Sequence, residues 1–246
     1  MPYAQINGFR MYYEVAGCGV PLLFVHGGLG GGQGSARFRQ IHLPALARHA
    51  RVIAFDRRAA GASEAPPAGY HFATFVADLF ALLDHLAVPR AVLMGVSAGG
   101  PLVLQAALDC PQRVLGLILA STAVQTLRPP PALAALLASL GAAGLAQLEA
   151  LLPPQAPLAG ALQTYLAYYR HGDALAARLG EITAPALILH GTADAEVPFA
   201  EAQRLHAALP RATLVPFVGG GHAILATHAG AYRQAIIDFV RQLPAS

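Results

Sequence analysis

The segment Gly95-Val96-Ser97-Ala98-Gly99 follows the apolar run Ala91–Met94 and precedes the helix-forming run Pro101–Leu108. A serine on a sharp strand-to-helix turn sits in strained backbone angles, and its small neighbours let other segments pass close by. The turn lifts the hydroxyl above the sheet edge and puts the next amide, that of Ala98, at a helix N-terminus. An N–H there can stabilise developing negative charge. A second run, His26-Gly27-Gly28-Leu29-Gly30-Gly31-Gly32, comes directly after the apolar run Leu22–Val25. Its glycines let backbone amides converge on one point, which makes Gly28 the candidate second donor and Leu29 its neighbour. A phosphate loop is a poor reading, because the run lacks the Gly-Lys-Ser/Thr ending and the chain has no lysine. A dinucleotide site fits no better, since the glycines open no clear helix followed by a suitably placed acid. His26 reads as a residue that shapes the loop.

These groups must be held by a scaffold, and the chain alternates short β-rich runs with helical patterns. That alternation predicts a mostly parallel sheet covered on both faces. Arg10–Val15 reads as a half-exposed early strand. Leu22–Val25, Val52–Phe55, Ala91–Met94, Val114–Ala120, Ala186–His190 and Thr213–Pro216 read as buried strands. Helical patterns fall at Phe72–Leu86, Ala98–Leu108, Ala200–Leu209 and Ala229–Leu243. The rhythm fails across 123–181, which carries Pro129-Pro130-Pro131, Pro153-Pro154, many Ala and Leu, and Tyr165, Tyr168 and Tyr169. It reads as a helical lid inserted into one core domain made of 1–122 and 182–246.

The first two motifs, together with Asp56-Arg57-Arg58-Ala59-Ala60-Gly61-Ala62-Ser63, stand in the order found in the α/β-hydrolase superfamily, which the chain resembles over nearly its whole length outside 123–181. His26-Gly27-Gly28 resembles the oxyanion loop, Asp56–Ser63 the segment after the fourth strand, and Gly95–Gly99 the nucleophile elbow. One position departs from the pattern: Ala59 stands where the family usually has glycine. The resemblance implies an α/β fold with a mostly parallel eight-stranded sheet flanked by helices, and a helical cap after the sixth strand. It also implies an acid after the next-to-last core strand and a histidine after the last. Asp194 follows Ala186–His190, and His222 follows Thr213–Pro216. Ser, Asp, His is the chain order of that fold. Ser97 would be the nucleophile, His222 its general base and Asp194 the acid that orients the imidazole. Glu196 is the rival acid. The amides of Gly28 and Ala98 would form the oxyanion hole, and Leu29, Val96, Val197 and Ile224 an apolar substrate lining.

The function expected is cleavage of a carboxylic ester or lactone without a cofactor. Perhydrolysis and carbon–carbon bond hydrolysis use the same three side chains, and a non-catalytic ligand-binding protein is the reading from a different class. Serine at the elbow argues against the dehalogenase and epoxide-hydrolase branches, which use aspartate there. Composition narrows the field further. Hydrophobic residues are 55% of the 246 and charged residues only 12%, against about 25% in an average protein. All 16 basic residues are arginine, scattered under a net charge of +3. No basic stripe suits nucleic acid, and the charge-poor surface leaves room for a homodimer. Two distant cysteines, Cys18 and Cys110, match neither a disulfide framework nor a metal site. The apolar stretch Ala132–Leu152 is interrupted by Ser139, Gly141, Gly144, Gln147 and Glu149, which predicts two short amphipathic helices and no stable membrane insertion. No charged leader precedes an apolar signal segment, so residence in the cytoplasm is expected.

Overall fold

The computed structural model describes residues 2–28, 32–124, 139, 144, 147, 167–168 and 171–243. Eight strands form one sheet: β1 Tyr3–Ile6, β2 Phe9–Ala16, β3 Pro21–Val25, β4 Arg51–Phe55, β5 Ala91–Val96, β6 Val114–Ala120, β7 Ala186–Gly191 and β8 Ala212–Phe217. Their spatial order is β1-β2-β4-β3-β5-β6-β7-β8. β1 pairs antiparallel with β2 and β2 with β4; every pairing from β4 through β8 is parallel. The helices are α1 Ala36–Ile41, α2 Leu43–Leu46, α3 Phe72–His85, α4 Gly99–Asp109, α5 Phe199–Ala208, α6 Ile224–Thr227 and α7 Ala229–Arg241, with a further helical stretch at 171–177.

The central strands are unbroken apolar runs because both faces are covered. Successive side chains point to opposite faces, and the packing follows that period. Leu23, Val25, Leu93, Leu117, Leu119 and Ile188 face a core shared with α3 and α4. Leu22, Phe24, Val92, Met94, Ile118 and Leu189 face a second core shared with α1 and α7, where Phe38, Tyr232 and Ile236 are fully buried.

The expected strands and long helices are present, with ends displaced by one or two residues. Four elements were not anticipated. β1 has an alternating burial pattern and turns into β2 through Asn7 and Gly8, both at positive φ (44° and 83°). Asn-Gly between alternating residues is a hairpin signature, so a cue for it lay in the sequence. Helices α1, α2 and α6 have six, four and four residues, too few to display a helical period. Most of 123–181, including its proposed cap helices, lies outside the described residues, as does Leu29. Among the described residues no helix is long and apolar enough to cross a membrane.

The segment after β4 is built around the Asp56 carboxylate. Its Oδ1 accepts from the Ser35 amide at 2.6 Å, the Ser35 hydroxyl at 2.7 Å and Arg39 at 2.9 Å, and its Oδ2 from the Ala62 amide at 3.0 Å. Burial alone would raise its pKa; the Ala62 and Ser35 donors and the Arg39 charge outweigh that and hold it below the usual carboxylate value. Two residues on, Arg58 grips Asp78 of α3 through both carboxylate oxygens at 2.8 and 2.9 Å. Ala59, where the family pattern has glycine, adopts φ 59°. This left-handed conformation explains the usual glycine and costs an alanine about 1–2 kcal/mol.

Candidate active site

β5 delivers Ser97 at the C-terminal edge of the sheet, where φ is 50°. The Ser97 amide donates to the Ala120 carbonyl at 3.0 Å, and its carbonyl accepts from the Gly100 amide at 2.9 Å and the Thr122 hydroxyl at 2.6 Å. The strained turn is therefore fixed by the neighbouring strand and by the first turn of α4. Main chain packs so closely around it that side chains are excluded. A β-carbon on Gly27 would lie 2.9 Å from the Ser97 β-carbon, and one on Gly99 only 2.2 Å from the Val25 carbonyl oxygen. Gly27 thus brings the loop after β3 directly against the serine.

Asp194 and His222 are brought together from the loops after β7 and β8. A β-carbon on Gly191 would meet the Gly220 carbonyl oxygen at 2.2 Å, so the two loops touch through bare backbone. Asp194 is 6% exposed. Its Oδ1 accepts from the amides of Glu196 and Val197, both at 2.9 Å. Its Oδ2 lies 2.9 Å from His222 Nδ1 and 3.3 Å from His190 Nε2. His190, fully buried, also directs Nε2 to the Val197 carbonyl at 2.8 Å; burial first, and then the nearby His222, lower its pKa, against opposing pulls from the Val197 carbonyl and Asp194.

With Nδ1 turned to Asp194, His222 Nε2 is available for proton transfer. Among the described residues no hydrogen bond joins it to Ser97; it stands 3.6 Å from an oxygen of the exposed Glu196 carboxylate. Catalytic hydrogen bonds often close only when substrate is bound. The rival acids are thus separated by role: Asp194 holds Nδ1 from within, and Glu196 faces the opposite nitrogen from solvent.

The loop carrying Gly28 is held from behind. The Arg57 amide donates to His26 Nε2 at 3.0 Å, which leaves the proton on Nδ1, and Nδ1 donates to the Gly27 carbonyl at 2.7 Å. Burial, reinforced by the Arg57 charge, lowers the His26 pKa to about 3. His26 is therefore a neutral structural imidazole. Val96, Val197 and Ile224, the expected lining, are 7%, 3% and 1% exposed. Val96 and Ile224 share the second core, so packing alone accounts for their apolar character. Sequence reasoning did not single out Thr122 or Arg57 as supports; they bond main-chain oxygens 25 to 30 positions away, which no local motif announces. His190, which ends a buried strand, was expected only to hydrogen-bond internally, and it does so to the Val197 carbonyl only seven positions on. Among the described residues no cluster of three His, Cys, Asp or Glu side chains is placed to hold a metal.

The buried histidines make stability pH-dependent. Burial also lowers the His42 pKa to about 4, against a compensating bond to the Leu225 carbonyl. The unfolded chain protonates both imidazoles below about pH 6.5 while the folded one does not, so stability falls as pH drops through that value. Going from pH 7 to pH 5 is expected to remove about 2 kcal/mol through His26, with a comparable loss through His42. The urea midpoint reads this; an unchanged midpoint at pH 5 would contradict it.

A family model described as "alpha/beta hydrolase fold" matches residues 20–170, and one described as "TAP-like protein" matches residues 170–245. A putative carbamate hydrolase RutD of Variovorax paradoxus strain S110 is 35% identical, the match covering 96% of this chain and 97% of the relative. An esterase from Exiguobacterium antarcticum superposes with TM-score 0.76 at 25% identity, covering 98% of this chain and 99% of that one. Est816, described as an N-acyl homoserine lactone degrading enzyme, superposes with TM-score 0.72 at 27% identity, covering 97% and 100%. With its parallel sheet, its serine turn and a family model spanning most of its length, the chain belongs to the α/β-hydrolase family.

Proposed function

We propose that this protein is a serine hydrolase that opens a carboxylic ester or lactone through an acyl-enzyme on Ser97. His222 takes the serine proton as Oγ attacks the carbonyl, then returns it to the leaving alkoxide; water reverses the sequence. Asp194 fixes the imidazole tautomer and stabilises the imidazolium. The amides of Gly28 and Ala98 receive the oxyanion. The observation that carries this reading is the Asp194 carboxylate, held by two amides and bonded to His222 Nδ1 at 2.9 Å, which presents Nε2 as the base.

Carbamate hydrolysis is the second reading, favoured by the full-length RutD relative. A carbamate offers the same serine a carbonyl made less electrophilic by nitrogen donation. The experiment compares kcat/KM for p-nitrophenyl acetate, an acyl homoserine lactone and a p-nitrophenyl carbamate. Ester or lactone turnover is expected to exceed carbamate turnover at least about tenfold, given the energy scale of one lost transition-state interaction. The reverse order would replace the first reading with the second.

A further inference from the structure

We infer that Arg57 is a positioning residue for acyl transfer, holding the Gly27–Gly28 peptide so that the Gly28 amide faces the substrate carbonyl; the inference rests on the serine-hydrolase reading above. A trans peptide is planar, so its C=O and N–H point in opposite directions. Whatever grips the Gly27 carbonyl therefore aims the Gly28 N–H. Two donors grip it: His26 Nδ1 at 2.7 Å and Arg57 Nη2 at 3.2 Å. Arg57 Nη2 also bonds the Gly28 carbonyl.

The other candidate donor is aimed in the same manner. The Ala98 N–H shares its peptide with the Ser97 carbonyl, which is pinned by Thr122 and Gly100. Arg57 links the two halves. Its Nη1 donates to the Tyr168 hydroxyl at 3.0 Å, and that hydroxyl donates to the Ala98 carbonyl. One guanidinium thus joins the loop after β3, the elbow after β5 and an aromatic residue of the inserted segment.

Arg57 is 4% exposed, and among the described residues it has no carboxylate partner. A buried cation held by neutral acceptors alone, with its Nε unpartnered, is costly, so ordinary folding offers little reason to keep one there. Its cationic face lies over the Phe75 ring, 5.9 Å from the centroid. The planar fork reaches three acceptors at once, which a lysine ammonium on a flexible stem cannot reproduce. Polarising the Gly27 carbonyl also makes the Gly28 amide a better donor as negative charge develops.

The test compares Arg57→Met, Arg57→Lys and Tyr168→Phe with the unaltered chain, each first shown to be folded by its thermal transition. The readouts are kcat and KM for p-nitrophenyl acetate and the affinity of phenylboronic acid, whose serine adduct mimics the tetrahedral intermediate. Arg57→Met is expected to lower kcat about 10²-fold, the scale of losing or misplacing one oxyanion donor, with KM moving less than about threefold. Boronate affinity should fall by the same factor as kcat. Arg57→Lys and Tyr168→Phe should each lose about tenfold in both quantities. A merely structural arginine would alter the thermal transition without this matched loss. Folded Arg57→Met with kcat and boronate affinity within about threefold of the unaltered chain overturns the inference. Should Arg57→Met fail to fold, unchanged boronate affinity in the other two variants overturns it equally. Retained turnover in Ser97→Ala would instead sink the serine-hydrolase reading itself.

Discussion

Ser97→Ala is expected to lower kcat for an ester by about 10⁵–10⁶-fold and to abolish covalent labelling by an organophosphonate. The loss follows from geometry. Ser97 is held at φ 50° by bonds to its own amide and carbonyl, so alanine inherits the same turn and the fold survives. Only the attacking oxygen is gone. The amides of Gly28 and Ala98 remain, so residual rate above the uncatalysed reaction is expected from charge stabilisation alone. Mass spectrometry of the labelled protein, before and after substitution, decides the matter. Undiminished labelling of the alanine variant would show that another nucleophile does the chemistry.

Asp194→Asn should cost about 10⁴-fold in kcat, whereas Glu196→Gln should cost less than about tenfold. The asparagine carbonyl can still accept from the Glu196 and Val197 amides that now hold Oδ1. Its NH2 group would then face His222 Nδ1 and His190 Nε2, where a carboxylate oxygen stands now. That forces His222 to present a lone pair at Nδ1 and to carry its proton on Nε2, so it can no longer accept the serine proton. Glu196 touches only the Nε2 side, at 3.6 Å and from solvent, where screening weakens its field. Steady-state kinetics on the two variants separates the roles; equal losses would reassign the acid.

Much of the scaffold was legible because its strands are buried on both faces. Val114–Ala120 is seven apolar residues in a row and reads as one strand without ambiguity. Chain order and the turn after β5 picked out Ser97, and the loops after β7 and β8 supplied Asp194 and His222, which the fold joins. What escaped reading had two physical causes. Short elements such as α2 carry no period. Long-range polar supports are the second cause: Arg57 meets Tyr168 across 111 positions, and Thr122 meets the Ser97 carbonyl across 25. The positive φ at Ala59 shows why a pattern glycine is usual there, and also that alanine can replace it.

The bare main-chain contacts at Gly27, Gly99 and Gly191 divide the molecule's evolvable positions from its frozen ones. A methyl group at any of the three pushes a loop out of register, so a randomised library that includes them would fill with inactive clones. Diversity placed instead at positions away from these three glycines leaves the main-chain contacts intact. New substrate preferences on this scaffold should therefore arise elsewhere, while the glycine seams stay untouched.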